Sequence, residues 1–428
     1  MLLYSIMLGT ISGVISGLIP GVGNFVLLLI LYPFLGSLSV VELLVFYATM
    51  STICQYIGSI PATIYGIPGE SSSYPTVIES SKLTSIKQVG NAISGSAFGS
   101  FFGSMLVLAA CYLLSDYAGL ISYFYSTKIL VSLLLAVSII ICFNSGNSIL
   151  TNFLLILTGL FLGAIGFNTY YSVPILTFDN MYLFGGLPRE VVLITLFAIP
   201  QILQNYNINT IIDKSNLSYS ISKVYLISPL YTCFYTIIGF IGGLVPGLTT
   251  IFSSIAAYTI SSWITKDPVK RIVASETANN AGAFSLLLPL LLFGIPILSS
   301  EALLLSLIEQ KGFILSFFNF STLITDLSYN LVFANLIGLL LAWPLSKQVR
   351  HFYKIDLNTV FTIIIILLVT VVLYSGYINH SLVYYVSVFS LLAPVGYLLR
   401  NLNTLPLIFA FIIHDKLFDG VFRLIQLS

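Results

Sequence analysis

Two stretches carry the residues best suited to chemistry. Residues 13–24 read GVISGLIPGVGN and residues 239–250 read GFIGGLVPGLTT, each with a Pro-Gly pair inside an apolar run. Proline removes a backbone donor and glycine loosens the turn, so such a pair interrupts a helix. In lipid the freed backbone groups survive only where protein or a water-filled cavity satisfies them. Transporters use such interruptions to aim half-helix N-termini at anionic groups near the bilayer midplane. The neighbours fit that chemistry: Gly23 and Asn24 follow Pro20-Gly21, and Thr249 and Thr250 follow Pro246-Gly247.

A second pair of motifs shares the pattern Pro-x4-Gly-Ile-Pro: PATIYGIPGESSS from Pro61 and PLLLFGIPILSSE from Pro289. Gly66, Pro68 and Gly69 lead to Glu70, Ser71 and Ser72, and Gly294 and Pro296 lead to Ser299, Ser300 and Glu301. Small hydroxyl and amide side chains beside free backbone N–H groups suit a carboxylate, or a sodium ion held by carbonyls. Any one Pro-Gly reads equally well as a kink or an interhelical loop; four breaks at matched positions favour a substrate-binding site. Glu276, in SETANNAGAFSLLLP with Asn279 and Asn280, could line a cavity, coordinate a cation or carry a proton. The competing role is a helix-start charge at the membrane interface. Asp116, Asp179 and Asp326 read as interfacial, and Arg189-Glu190 after GGLP as a helix start.

Enzyme chemistry finds little support. The histidines (His351, His380, His414) are scattered, none beside a glycine-flanked serine, and no His-Glu-x-x-His occurs. The four cysteines (Cys54, Cys111, Cys142, Cys233) lie singly in apolar segments, with neither disulfide nor zinc spacing. No catalytic residue, metal site or cofactor is expected, apart from sodium or a proton as coupling ion.

The elements that must position these residues are membrane helices. Of 428 residues, 57% are hydrophobic and 7% charged, with mean hydropathy +1.02, against roughly 25% charged residues in a soluble domain. At roughly 20 apolar residues per span, the chain predicts an all-α polytopic membrane protein with about 10–12 crossing or re-entering helices. The lipid bilayer is its surrounding partner, and with no basic tract and a net charge of +1 nucleic acid is not expected. No Lys or Arg precedes the first apolar run, which reads as a membrane helix and not a cleaved signal.

The motifs also divide the chain. Gly13, Gly17, Pro20 and Gly21 match Gly239, Gly243, Pro246 and Gly247 at an offset of 226, and the Gly-Ile-Pro motifs match at 228. The expectation is a first repeat over 1–205, a polar linker at 206–223 and a second repeat over 224–428. Loop 37–45 has no basic residue, whereas its counterpart 263–271 holds Lys266, Lys270 and Arg271. Loop 121–128 holds only Lys128, whereas 347–354 holds Lys347, Arg350 and Lys354. Basic short loops mark the cytoplasmic side, so the repeats are expected to be inverted.

At these residues the sequence resembles the TctA family, the large membrane subunit of tripartite tricarboxylate transporters. The first half resembles the family's opening signature, the Pro20-Gly21 break followed by a long helix and Gly66-Ile67-Pro68-Gly69. The second half is closer: GFIGGLVPGLTT and SETANNAGAFSLLLPLLLFGIP are similar to the second Pro-Gly motif and the Glu-Ala-Ala-Asn-Asn segment before Gly-Ile-Pro. Two departures stand out: Ile297 replaces the glycine expected after the second Gly-Ile-Pro, and Glu70 adds a negative charge beside an anion site. The resemblance implies a secondary carrier of tricarboxylates or related organic acids in a prokaryotic inner membrane, driven by sodium or protons. It implies two partners, a small membrane subunit and a periplasmic solute-binding protein, and an elevator-like motion. It makes Asn24, Ser71, Ser72, Thr249, Asn279, Asn280 and Ser299 candidates for substrate or ion contact. The competing functions are a lipid or polysaccharide flippase and a stand-alone organic-anion carrier.

Overall fold

The structure is a computed structural model that describes residues 2–19, 22–117, 127–144, 147–168, 173–204, 228–244, 249–315, 317–352 and 356–427. The 206–223 linker and both Pro-Gly pairs (Pro20-Gly21, Pro246-Gly247) lie outside the described residues.

The first half runs α1 (Leu2–Leu18), α2 (Gly23–Leu35), α3 (Val40–Tyr65), α4 (Tyr74–Ser80), α5 (Ile86–Leu114), α6 (Thr127–Asn144) and α7 (Ile149–Ala164). A small antiparallel pair, β1 (Gly166–Asn168) and β2 (Val173–Ile175), then sets Phe167 opposite Pro174. Short helices α8 (Met181–Phe184), α9 (Arg189–Leu193) and α10 (Ile199–Gln204) follow, with a π turn over Ile194–Ala198 between the last two. Pro200 supplies no N–H to that ladder, which gives the wider turn a local cause. The second half comprises α11 (Pro229–Leu244), α12 (Thr250–Ile264), α13 (Pro268–Phe293), α14 (Ser299–Gln310), α15 (Phe317–Phe352), α16 (Leu357–Ile378), α17 (Leu382–Leu399) and α18 (Leu405–Leu427).

The protein is an all-α polytopic membrane protein, the strand pair being its one departure among the described residues. Among the described residues, five helices have the length and apolarity to span a bilayer, and five shorter apolar helices accompany them. The two central helices, α3 and α13, are buried along almost their whole length. Local sequence starts each of them. The Ser39 hydroxyl accepts from the Glu42 N–H at 3.3 Å while Glu42 accepts from the Ser39 N–H at 2.8 Å, a reciprocal cap. Asp267 caps α13 by accepting from the Val269 N–H at 3.0 Å, with Pro268 in the first turn.

α1 packs on α3, and α11 packs on α13. The close approach is made by matched glycines. A Cβ on Gly17 would lie 2.9 Å from the Cys54 carbonyl oxygen, and one on Gly243 would collide with Gly282 and Ser285. Helices approach this closely in lipid where small residues face each other. α5 uses the same device against α13, with Gly99 and Gly103 facing Thr277.

Candidate functional site

The shared Pro-x4-Gly-Ile-Pro motif is a helix terminator. Gly66 (φ 67°) and Gly294 (φ 62°) end α3 and α13 in the left-handed conformation. The Pro61 carbonyl accepts from the Ile67 N–H at 3.4 Å, and the Pro289 carbonyl from the Ile295 N–H at 3.3 Å. Glycine is needed because a Cβ costs roughly 1–2 kcal/mol in that conformation, and the last proline prevents the helix from resuming.

Beyond the first terminator the chain turns back into the protein. The Gly69 N–H donates to the Gly58 carbonyl at 3.4 Å. Residues Ser71–Ser73 form one 3-10 turn, and this turn and α4 rest on α12 and α13. The Ser254 hydroxyl lies 2.6 Å from the Ser72 carbonyl oxygen and 2.7 Å from the Ser275 hydroxyl, and Ser72 donates to the Gln55 amide oxygen at 3.4 Å. Thr76 donates to the Glu276 carboxylate. The Asn279 amide donates to the same carboxylate at 3.4 Å. The Asn280 amide lies 2.7 Å from the Ser100 hydroxyl and 3.2 Å from the Glu276 carbonyl oxygen. Thr76, Ser100, Glu276, Asn279 and Asn280 are all buried. The Asn279 side-chain oxygen is buried without a hydrogen-bond partner among the described residues. Buried polar atoms are normally paired, so this acceptor is an open valence beside the Glu276 carboxylate. An ionised carboxylate beside an unused amide oxygen suits a hard cation with oxygen ligands, or a proton.

A charged clasp holds this arrangement from one side. The Glu79 carboxylate at the end of α4, fully buried, receives Lys82 at 2.6 Å, the Tyr258 hydroxyl at 3.0 Å and Arg271 at 3.1 Å. Arg271 also donates to the Thr265 carbonyl at 2.8 Å. Burial raises the Glu79 carboxyl, but the hydrogen bonds from Lys82, Arg271 and Tyr258 outweigh it and leave it below the usual range.

The second terminator leads to a different arrangement. Glu301 turns back and accepts from the N–H groups of Ile297 and Leu298 at 2.7 and 3.1 Å, so the amides ahead of α14 already hold a carboxylate. Ser300 meets the Tyr47 hydroxyl at 2.8 Å, and Lys416 donates to the Gly294 carbonyl at 2.8 Å.

The sequence profile of the tripartite tricarboxylate transporter TctA family matches residues 3–409. The chain belongs to that family. The chain is also similar to a curated protein from Agrobacterium vitis, described as an uncharacterized 52.8 kDa protein in the TAR-I ttuC' 3' region. It is 27% identical over 327 residues, covering 71% of this chain and 63% of the relative. The match therefore spans less than two thirds of that relative's length. No solved structure matches.

Within this TctA-family chain, the structure brings Glu276, Asn279 and Asn280 into one cluster, with Ser72 on the docked turn bonded instead to Gln55 and Ser254. Asn24 lies elsewhere: its amide oxygen is 2.7 Å from the Ser16 hydroxyl, which is 2.9 Å from the Cys54 sulfur. The Cys54 thiol points to Glu70 at 3.8 Å. Gly23 (φ 51°) starts α2 with open space around it. Thr249 and Thr250 begin α12, and no hydrogen bond joins them, Ser299 or Ser300 to the Glu276 cluster among the described residues. Pro20, Gly21, Pro246, Gly247 and the Ser71 side chain lie outside the described residues. Sequence reasoning missed Thr76, Ser100, Ser254 and Ser275. Only Ser100 left a trace, since Ser96, Ser100 and Ser104 recur every four residues beside Gly95, Gly99 and Gly103, a small-residue stripe that signals close helix packing.

Proposed function

We propose that this chain is the carrier subunit of a secondary transporter that moves tricarboxylates or related small organic acids across a prokaryotic inner membrane. The observation that carries the reading is the buried Glu276 carboxylate, bonded by Thr76 from the first half of the chain and by Asn279 from its own helix. Membership of the TctA family supports the substrate class and the two partners, a small membrane subunit and a periplasmic solute-binding protein. Coupling follows from charge. An organic anion cannot settle beside an ionised Glu276 in a medium of low dielectric without strong repulsion. A proton or sodium ion taken up at Glu276 and the Asn279 oxygen removes that repulsion, so cation and anion bind together and symport results. Glu70 strengthens the requirement, because it lies within electrostatic reach of Glu276.

In this reading the two halves are inverted repeats, with 263–271 and 347–354 cytoplasmic. The matched glycine contacts of α1 on α3 and α11 on α13 support the repeat, and the unequal basic content of the equivalent loops supports its inversion.

The test is uptake of a labelled carboxylate panel by cells expressing this chain, alone and with candidate binding proteins, with and without a sodium gradient. Uptake that requires a binding protein supports the tripartite carrier, and uptake by the chain alone makes it a self-sufficient one. No carboxylate uptake by chain shown to be folded in the membrane overturns the reading.

A further inference from the structure

A cavity of about 400 Å³ lies away from the Glu276 cluster, between the end of α7, the strand pair, the start of α9 and α18. Its walls are mostly apolar and include Phe167, Phe184, Phe411, Phe418 and Phe422. Arg189, His414 and Asp415 form its polar end.

The surrounding sequence places this cavity at the edge of the bilayer. α18 is apolar from Leu405 to Ile413 and then reads His414, Asp415, Lys416, with Asp419 and Arg423 beyond. α7 is apolar up to Ala164, and its Gly163 packs directly on the His414 ring. The two apolar stretches thus end at one level. The strand pair has edges that hydrocarbon could not satisfy, which puts it among headgroups. Phe178, Met181 and Tyr182 are exposed nearby, as expected of an interfacial belt.

Arg189 is the under-used group. Its guanidinium donates to the Ser306 hydroxyl at 3.1 Å. Its ion pairs with Asp415 and Glu309 are 3.6 and 3.8 Å long, beyond hydrogen-bond length. Glu309 is answered instead by Lys416 at 3.1 Å. Most of the five guanidinium donors therefore remain available, and the side chain is 32% exposed. Both ring nitrogens of His414 face acceptors, the Phe411 carbonyl at 2.8 Å and Asp415 at 2.9 Å.

We propose that this cavity binds one anionic phospholipid, its phosphate on Arg189 and an acyl chain among the phenylalanines. A guanidinium fork matches a phosphate, and basic pockets between membrane helices recognise such headgroups. A small organic anion would leave the apolar walls unfilled. The proposal stands independently of the transport reading.

The experiment uses the full chain purified in detergent and measures binding of phosphatidylglycerol by native mass spectrometry, with phosphatidylcholine, inorganic phosphate and citrate as comparison arms. Two variants are used. Arg189→Ala removes the fork. Gly185→Trp takes up space, since Gly185 lines the cavity in ordinary backbone (φ −75°) and an added Cβ meets nothing nearer than the Tyr182 carbonyl at 4.0 Å. The expected result is one retained phosphatidylglycerol, weakened about tenfold by Arg189→Ala through the loss of one charge-assisted hydrogen bond, and weakened by Gly185→Trp because the indole occupies the acyl-chain space. Phosphatidylcholine should bind correspondingly less, and neither phosphate nor citrate should displace the lipid. Equal retention of the two lipids, or unchanged binding in a monodisperse Gly185→Trp protein, overturns the proposal. Displacement by inorganic phosphate or citrate overturns it as well, in favour of a small-anion site.

Discussion

Asn279 and Asn280 are neighbours on α13 with different partners, and their alanine variants should separate binding from packing. Asn280→Ala removes the bonds to Ser100 and to the Glu276 carbonyl, costing about 1–2 kcal/mol of stability as well as uptake. Asn279→Ala removes one long bond and an oxygen that bonds to nothing, so it should leave thermal stability within about 1 kcal/mol of the parent. Uptake should still fall at least about tenfold in both variants, the worth of one charge-assisted contact. Normal uptake by Asn279→Ala in reconstituted vesicles would remove it from the site. Glu276→Gln keeps the shape and the Thr76 contact but cannot ionise, so residual uptake should lose its dependence on the driving cation; a preserved dependence excludes Glu276 as the coupling group. At this scale the sequence was legible where the backbone demanded a residue type. Gly66 and Gly294 are forced by a left-handed turn. Thr76 and Ser254 were not legible, because a hydroxyl pointing into a buried cluster looks in sequence like any other hydroxyl.

Among the elements, α4 is the clearest case of a short helix fixed by charge. Glu79 holds it to Tyr258 and Arg271, with Lys82 alongside, and Thr76 holds it to Glu276. Arg271→Met leaves the buried carboxylate with fewer donors and should destabilise the protein by about 2–3 kcal/mol, somewhat less than a fully enclosed pair because Lys82 stays in water. A thermal melt of the detergent-solubilised protein measures it. Because the Glu79 carboxyl is lower in the folded protein than its unfolded value of about 4.3, its contribution is fully present above that value and is lost as the pH falls through the folded one. Melting temperatures of the parent and Glu79→Gln should therefore converge on acidification; a constant gap would show that Glu79 does not titrate with folding. The long central helices follow from hydropathy, with starts set by caps at Ser39 and Asp267. The strand pair and the π turn did not, since three-residue strands and a single wide turn leave no periodicity long enough to read.

For the molecule as a whole, membrane helicity was evident from composition, and the two central helices carry the Gly-Ile-Pro motifs and Glu276, while the Pro-Gly motifs follow the helices packed on them, α1 and α11. The docking of residues 71–80 from the first half on α12 and α13 of the second was not evident, because it joins segments about two hundred residues apart through short hydroxyl contacts. That docking yields a test at the same scale. In a background free of other cysteines, Ser72→Cys with Ser254→Cys should be bridged by a short bis-methanethiosulfonate linker, because the Ser254 hydroxyl rests on the Ser72 carbonyl and the two residues are neighbours. If the contact opens during transport, the linker should arrest uptake and reduction restore it; full uptake by the cross-linked protein shows that the contact is permanent.

The seating of Gly69 limits what the first tip can do. A Cβ there would lie 2.6 Å from the Gly58 Cα and nearer still to the Gly17 carbonyl oxygen, so backbone rests on backbone with no side chain between to act as a spacer. In mechanical terms the tip is a tooth cut into a block, and a flap swinging freely on residues 66–69 has no clearance in which to move. Any stroke that carries this tip across the membrane must carry α1 and α3 with it, sliding along a boundary that lies outside those helices.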